Sequence, residues 1–146
     1  MGLGVRTFFD IVADIPIASS IVPITTTLAS PIAANQRQKL AWWVPFTLGA
    51  TGGVRAIVVV PAGGTVFELT GILYNTVAPA TTLFEQQASA AFTNALANAG
   101  DHWLQIWATI VNGATAGTVD LQMAQNTSDV LTLTISRGGT LDVISQ

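Results

Sequence analysis

Along residues 40–48, Leu40, Trp42, Val44, Phe46 and Leu48 alternate with Ala41, Trp43, Pro45 and Thr47. A period of two sends alternate side chains to opposite faces of a strand, so this stretch predicts a strand with one fully apolar face. Gly49-Ala50-Thr51-Gly52-Gly53 follows as a turn. Residues 54–60 are nearly continuous β-branched chain, which suits a strand covered on both faces. After Pro61-Ala62-Gly63-Gly64, residues 65–75 form the next strand. Here the pattern sets Phe67, Leu69 and Leu73 against Glu68, Thr70, Ile72 and Tyr74. Residues 102–111 set Trp103, Gln105, Trp107 and Thr109 against Leu104, Ile106, Ala108 and Ile110. Asn112-Gly113 begins a hairpin-like turn that ends at Gly117. Shorter alternating runs follow at 119–124, 131–135 and 140–144, separated by Asn126-Thr127-Ser128-Asp129 and Gly138-Gly139.

Two stretches are less regular. Residues 1–36 are broken by Pro16, Pro23 and Pro31, and proline disfavours central strands. They read as an extended arm with one early strand at 21–28. That arm either packs on its own domain as an edge strand or crosses to a neighbouring subunit. Within 79–100, Ala88, Phe92 and Leu96 have helical spacing, while Thr81, Thr82 and Thr93 favour extended chain. Helix, strand and loop all stay open there. Many short strands with glycine-rich turns indicate an all-β fold, an antiparallel β-sandwich of jelly-roll type. The expected organisation is an N-terminal arm over residues 1–24 and a sandwich domain over 25–146.

Composition sharpens this picture. Half of the 146 residues are apolar, only 9% are charged, and mean hydropathy is +0.55. Ordinary domains carry about 25% charged residues. Such a chain is too apolar for disorder and long enough for one core. The long uncharged N-terminal stretch, 15–36, holds three prolines, which break a spanning helix. A secretory leader is not expected, because Arg6 stands alone and Asp10 and Asp14 interrupt the apolar block. With no cysteine, neither a disulfide framework nor a thiolate metal site is possible. A net charge of −3 disfavours attraction to nucleic acid or anionic membrane. Uncharged Thr, Gln, Asn and Ala occupy strand positions where Lys and Glu are usual, the mark of faces that other surfaces cover.

Catalytic signatures are sparse. His102 follows Asp101, but no G-x-S-x-G nucleophile elbow accompanies it, so it reads as a residue at the start of a strand. The acids Asp10, Asp14, Glu68, Glu85, Asp101, Asp120, Asp129 and Asp142 are dispersed, with neither a convergent pair nor a calcium-loop spacing. Glu68 and Asp120 are expected to be solvated, interface-facing or paired with Arg37 or Arg55. The 49–53 turn lacks the G-K-[ST] ending of a phosphate loop. Asn126-Thr127-Ser128 matches a glycosylation sequon, a frequent chance match. Trp42 and Trp43 are adjacent and must face opposite ways, whereas Trp103 and Trp107 share a face. Core packing and subunit contact account best for these indoles, with ligand stacking the alternative. No metal or other cofactor is expected.

The segment Ile110-Val111-Asn112-Gly113-Ala114-Thr115-Ala116-Gly117-Thr118-Val119-Asp120-Leu121-Gln122-Met123-Ala124-Gln125-Asn126-Thr127-Ser128 resembles one common in tailed-bacteriophage virion proteins. There a strand ends in a v-G-a-t-a-G-t turn, followed by l-q-l-x-w-A-Q-n-t-S. Ser136-Arg137-Gly138-Gly139-Thr140-Leu141-Asp142-Val143 is similar to the closing turn and strand of that module. Upstream, Leu28-Ala29-Ser30-Pro31-Ile32-Ala33-Ala34-Asn35, Leu40-Ala41-Trp42-Trp43-Val44-Pro45-Phe46 and the strand over 53–63 resemble its entry. The likeness spans roughly residues 25–144. Two positions depart from it: Met123 replaces the usual aromatic, and Arg137-Gly138-Gly139-Thr140 replaces Lys-Ala-Gly-Ser. The motifs are structural turns, so no catalytic residue carries over.

The resemblance implies a small β-sandwich module of head-decoration, head-fibre or tail proteins, which commonly trimerise. The expectation is therefore a non-enzymatic virion protein, a homotrimeric decoration (cement) protein on the outside of a phage head assembled in the host cytoplasm. Its partners would be itself and the major capsid protein, without nucleic acid or membrane. The alternative is a tail, baseplate or receptor-binding sandwich that meets host glycans. A jelly-roll enzyme of the cupin kind would need several histidines, and one is present. Interface candidates are Phe8, Phe9 and Ile11 on the arm and Trp43, Tyr74 and Trp107 on the strands.

Overall fold

A computed structural model describes residues 5–18, 20–49, 53–75, 80–86, 91–94, 99–127 and 130–146. The strands are β1 (Arg6–Asp10), β2 (Ile15–Ile17), β3 (Ile24–Ile32), β4 (Arg37–Leu48), β5 (Val54–Val59), β6 (Thr65–Asn75), β7 (Ala80–Gln86), β8 (Ala91–Asn94), β9 (Gly100–Val111), β10 (Gly117–Gln125), β11 (Leu133–Ile135) and β12 (Thr140–Ser145). All pairings are antiparallel. The eight-stranded sheet runs β1-β12-β4-β9-β6-β7, with β11 and β2 continuing the β12 and β1 positions beside β4. The four-stranded sheet runs β3-β10-β5-β8. Strands from the two ends of the chain nest as neighbours: β1 with β12, β3 with β10, β4 with β9, β5 with β8. That nesting is a jelly roll, with the β6–β7 hairpin added beyond β9.

The inner faces meet in one core. Leu40, Trp42, Val44 and Phe46 of β4 and Leu104, Ile106 and Ile110 of β9 face Leu28, Val58, Leu121 and Met123 of the smaller sheet, all buried. This is the alternation read from the sequence. Pro45 interrupts a central strand without breaking it. β12 pairs with β4 as far as Trp43, and β11 pairs from Phe46. Pro45 falls at the gap between them, where a missing N–H removes no ladder bond on that side, and its carbonyl accepts from the Ser136 amide at 2.9 Å.

Two expectations need correction, and one open segment is resolved in part. A bulge at β6, between Val66 and Glu68, shifts the phase. Val66 and Leu69 turn inward together, and Phe67, expected beside Leu69, is 62% exposed on the outer side. Where helix stayed open, residues 91–94 form a strand beside β5; Ala88 and Leu96, which carried the helical spacing, lie outside the described residues. The early strand runs to Ile32 rather than Leu28, with Pro31 inside it. Residues 6–10 and 15–17 are strands that pair with the same chain, β1 on β12 and β2 on β11.

Two motifs that carried the phage resemblance meet at one end of the sandwich. A Cβ on Gly113 would lie 2.7 Å from the Gly63 carbonyl oxygen, and one on Gly117 would lie 2.8 Å from Pro61. Between them, the Asn112 side-chain amide donates to the Ala33 and Thr115 carbonyls, each at 2.8 Å. The turn glycines therefore answer to close packing of the 61–64 and 112–117 turns.

Candidate functional site

The outer face of the larger sheet carries aromatics where an exposed sheet ordinarily carries charge. Register alone assembles it. Trp103 of β9 lies between Pro45 of β4 and Tyr74 of β6; Gln105 lies between Trp43 and Ile72; Trp107 lies between Ala41 and Thr70. Trp43 and Trp107 are each 41% exposed, Tyr74 43% and Trp103 36%. Trp43 and Trp103 meet edge to face, ring centres 5.3 Å apart and planes at 63°. Such geometry is the favoured one for two quadrupolar rings.

Trp43, Ile72, Tyr74, Trp103 and Gln105 line a groove of about 400 Å³. Gln105 is its one side-chain amide. A smaller hollow of about 210 Å³ beside Trp107 is bordered by Lys39, Glu68, Thr70 and Thr109. Among the described side chains, charge gathers at the two ends of the face and along its β1–β12 edge. Arg37 and Lys39 lie towards one end, where the Arg37 guanidinium sits 5.7 Å from the centre of the Phe67 ring. Asp101 lies at the other end, two positions before Trp103, and accepts from the Thr47 hydroxyl at 2.8 Å. At the sheet edge Arg6 forms an ion pair with Asp142 and lies 4.9 Å over the Phe8 ring. The hydrogen bond that Arg6 donates to Asp142, and then the charge of that carboxylate, hold the Arg6 pKa above its ordinary value.

The structure sorts the interface candidates into two groups. Trp43, Tyr74 and Trp107 share the outer face, and Phe8, 62% exposed, joins the row of Asp142, Ala41 and Trp107. Ile11 is buried in the core at 3% exposure, and Phe9 packs against that core. Pairing of β1 with β12 turns Phe9 inward, and reciprocal backbone bonds with Gly138 and Gly139 fix Ile11 beneath that turn. Ile11 is thus a core residue, and Phe9 is partly buried against the core. Sequence reasoning left Trp103 and Ile72 out of the contact set, although the alternation already placed Trp103 with Trp107 and Ile72 with Tyr74. Phe67 could not be found that way, because the bulge leaves no mark in the pattern.

His102 and Asp120 lie off this face. His102 is buried, its ring 5.3 Å from that of Phe46. Asp120 accepts from the Thr25 hydroxyl at 2.7 Å and from the Gln122 amide at 3.1 Å, rather than pairing with an arginine. Among the described residues no three metal-ligating side chains gather.

No family profile matches the chain, and no curated protein sequence does either. Among solved structures it is similar to the VP2 subviral particle of infectious bursal disease virus, at 8% identity over 97% of this chain and 41% of the viral one, with a TM-score of 0.27. The Gx strain of that virus gives 10% identity over 98% and 36%, with a TM-score of 0.27. PliG, a periplasmic inhibitor of g-type lysozyme from Aeromonas hydrophila, gives 12% over 98% and 84%, with a TM-score of 0.18. The chain spans less than half the length of the viral chains it matches.

Proposed function

We propose that this chain is a non-enzymatic structural protein of a phage virion: a decoration protein that trimerises and braces the outside of the head shell. The observation that carries this reading is the aromatic outer face. Five strands spaced about 4.8 Å apart, with outward positions over some 26–33 Å of β4, give a face of roughly 600–800 Å². A standard protein interface takes about 800 Å² from each partner. Exposed aromatics with charge kept to the ends and to one edge match the core and rim of such an interface. The turn motifs shared with tailed-phage modules support the virion assignment. The partners are other copies of the chain and the major capsid protein, and the site of action is the outer surface of the head. The action is mechanical: symmetry sets copies over equivalent shell positions, and apolar burial adds resistance to pressure from within.

Light scattering should return about three times 15.2 kDa, and titration onto empty phage shells should saturate. A monomer at micromolar concentration, or failure to bind shells, would count against the proposal.

One observation favours a second reading, that of a tail or receptor-binding protein. The groove joins two indole rings to the Gln105 amide, and a sugar offers an apolar ring face and hydroxyls to such a surface. Binding to host cells without binding to shells would select it.

A further inference from the structure

We infer that the Trp43–Trp103–Tyr74 groove is filled by Phe67 of the next copy, so that copies join knob into groove along this face. This deepens the proposed self-association and rests on it. The bulge at β6 is a device that re-aims one side chain, and here it sets a phenyl ring on the outer face, 62% exposed. At the other end of the same face lies an apolar groove of about 400 Å³, with room for such a ring. Phe67 cannot reach its own groove. Tyr74 is on the same strand, roughly 23 Å further along by the rise of an extended chain.

Charge agrees with this pairing. Arg37 stacks on the knob, and Asp101 stands beside the groove. Docking Phe67 of one copy into the groove of another brings a guanidinium towards a carboxylate. Knob and groove are separate patches of one molecule, so each copy can give Phe67 to one neighbour and take a Phe67 from the other. A three-fold ring needs that heterologous contact.

The chain contains no cysteine, which makes the test clean. Phe67→Cys with Tyr74→Cys, oxidised mildly at low concentration, should give disulfide-linked oligomers that close at the native stoichiometry. The two positions are too far apart within one chain to bridge. Phe67→Cys with Val59→Cys, on the other sheet, should give none. Phe67→Ala should weaken self-association at least about tenfold, as loss of an aromatic anchor does, with the unfolding midpoint unchanged at dilutions where both proteins are monomeric. Arg37→Asp should weaken it too, and adding Asp101→Arg should restore it. A native-sized oligomer in Phe67→Ala, without cross-links in the paired variant, overturns the inference and leaves self-association standing. A monomeric parent chain overturns the reading beneath it. Quenching of the groove tryptophans by a neutral oligosaccharide in the intact oligomer would show the groove open, and would overturn the inference as well.

Discussion

The indole N–H of Trp42 donates a 3.0 Å hydrogen bond to the carbonyl of Leu28, joining the two sheets through the core. Leu28 lies where β3 bulges against β10, with the register slipping between Asp120 and Gln122. The bulge takes this carbonyl out of the ladder, and an indole from the opposite sheet satisfies it. Trp42→Phe keeps an aromatic ring and removes the donor. A buried acceptor left unpaired costs about 1–3 kcal/mol, and the smaller ring adds to that. Guanidinium unfolding should show a lower midpoint with an unchanged slope.

The same bulge holds Thr27 at a φ of 66°, a left-handed conformation that β-branched residues rarely adopt. The residue is exposed, so little packing is at stake. Such strain costs about 1–3 kcal/mol, while glycine adds roughly 0.5–1 kcal/mol of unfolded-state entropy. Thr27→Gly should therefore raise the thermal midpoint slightly. A lower midpoint would mean that the Thr27 side chain makes a stabilising contact.

How far the sequence foretells this molecule depends on which forces act locally. Alternation at 40–48 and 102–111 set the core face and the aromatic face at once, because a period of two leaves no freedom once one side is buried. The Phe67 bulge, the slip beside Thr27 and the tolerance of Pro45 depend on partner strands far along the chain. Neither propensity nor period registers such partners. Ile11 misled for the same reason. It stands in a proline-broken segment that looks like a free arm, yet the 136–139 turn comes from the far end of the chain to cover it. The strand at 91–94 was ambiguous because alanine and threonine fit either state, and pairing with β5 decides it.

Gly113→Ala tests the turn packing behind the sequence resemblance. The added methyl would stand 2.7 Å from a backbone oxygen, closer than a Cβ tolerates. Backbone cannot move aside as a flexible side chain can, so the 61–64 and 112–117 turns must separate. That loosens the Asn112 bonds to Ala33 and Thr115. A loss of about 2–4 kcal/mol is expected, in the range for overpacking together with a broken buried network. Ala114→Gly, one residue on, should leave the unfolding midpoint within about 1 kcal/mol of the parent.

Trp107→Ser separates surface from core. The ring is 41% exposed between Ala41 and Thr70, so the isolated fold should lose only about 1 kcal/mol, a fraction of a full burial. If the face is covered by other copies, the same change should weaken association by a larger factor. Sedimentation of the variant should show monomer at concentrations where the parent is assembled. Trp42→Ser, one position from Trp43 and facing the other way, should instead unfold the chain.

Removing residues 1–17 tests what the N-terminal segment contributes to the fold. An arm that served only for docking would come away without harm. Here its loss strips β1 from β12 and β2 from β11 and takes Ile11 and Ile17, 3% and 2% exposed, out of the core. The two isoleucines alone account for about 3–6 kcal/mol of burial. The bared edge adds unpaired backbone groups that invite aggregation. Against a usual total of about 5–15 kcal/mol, the truncated chain should melt well below the parent or fail to fold. Loss of shell binding in it would therefore say nothing about contact. Point changes at exposed positions resolve the matter. Phe8→Ser and Val12→Ser, at 62% and 89% exposure, should leave the melting curve unchanged. If the segment also touches a partner, those two variants should lower binding to shells while remaining folded. If binding survives both, the segment acts through the core alone.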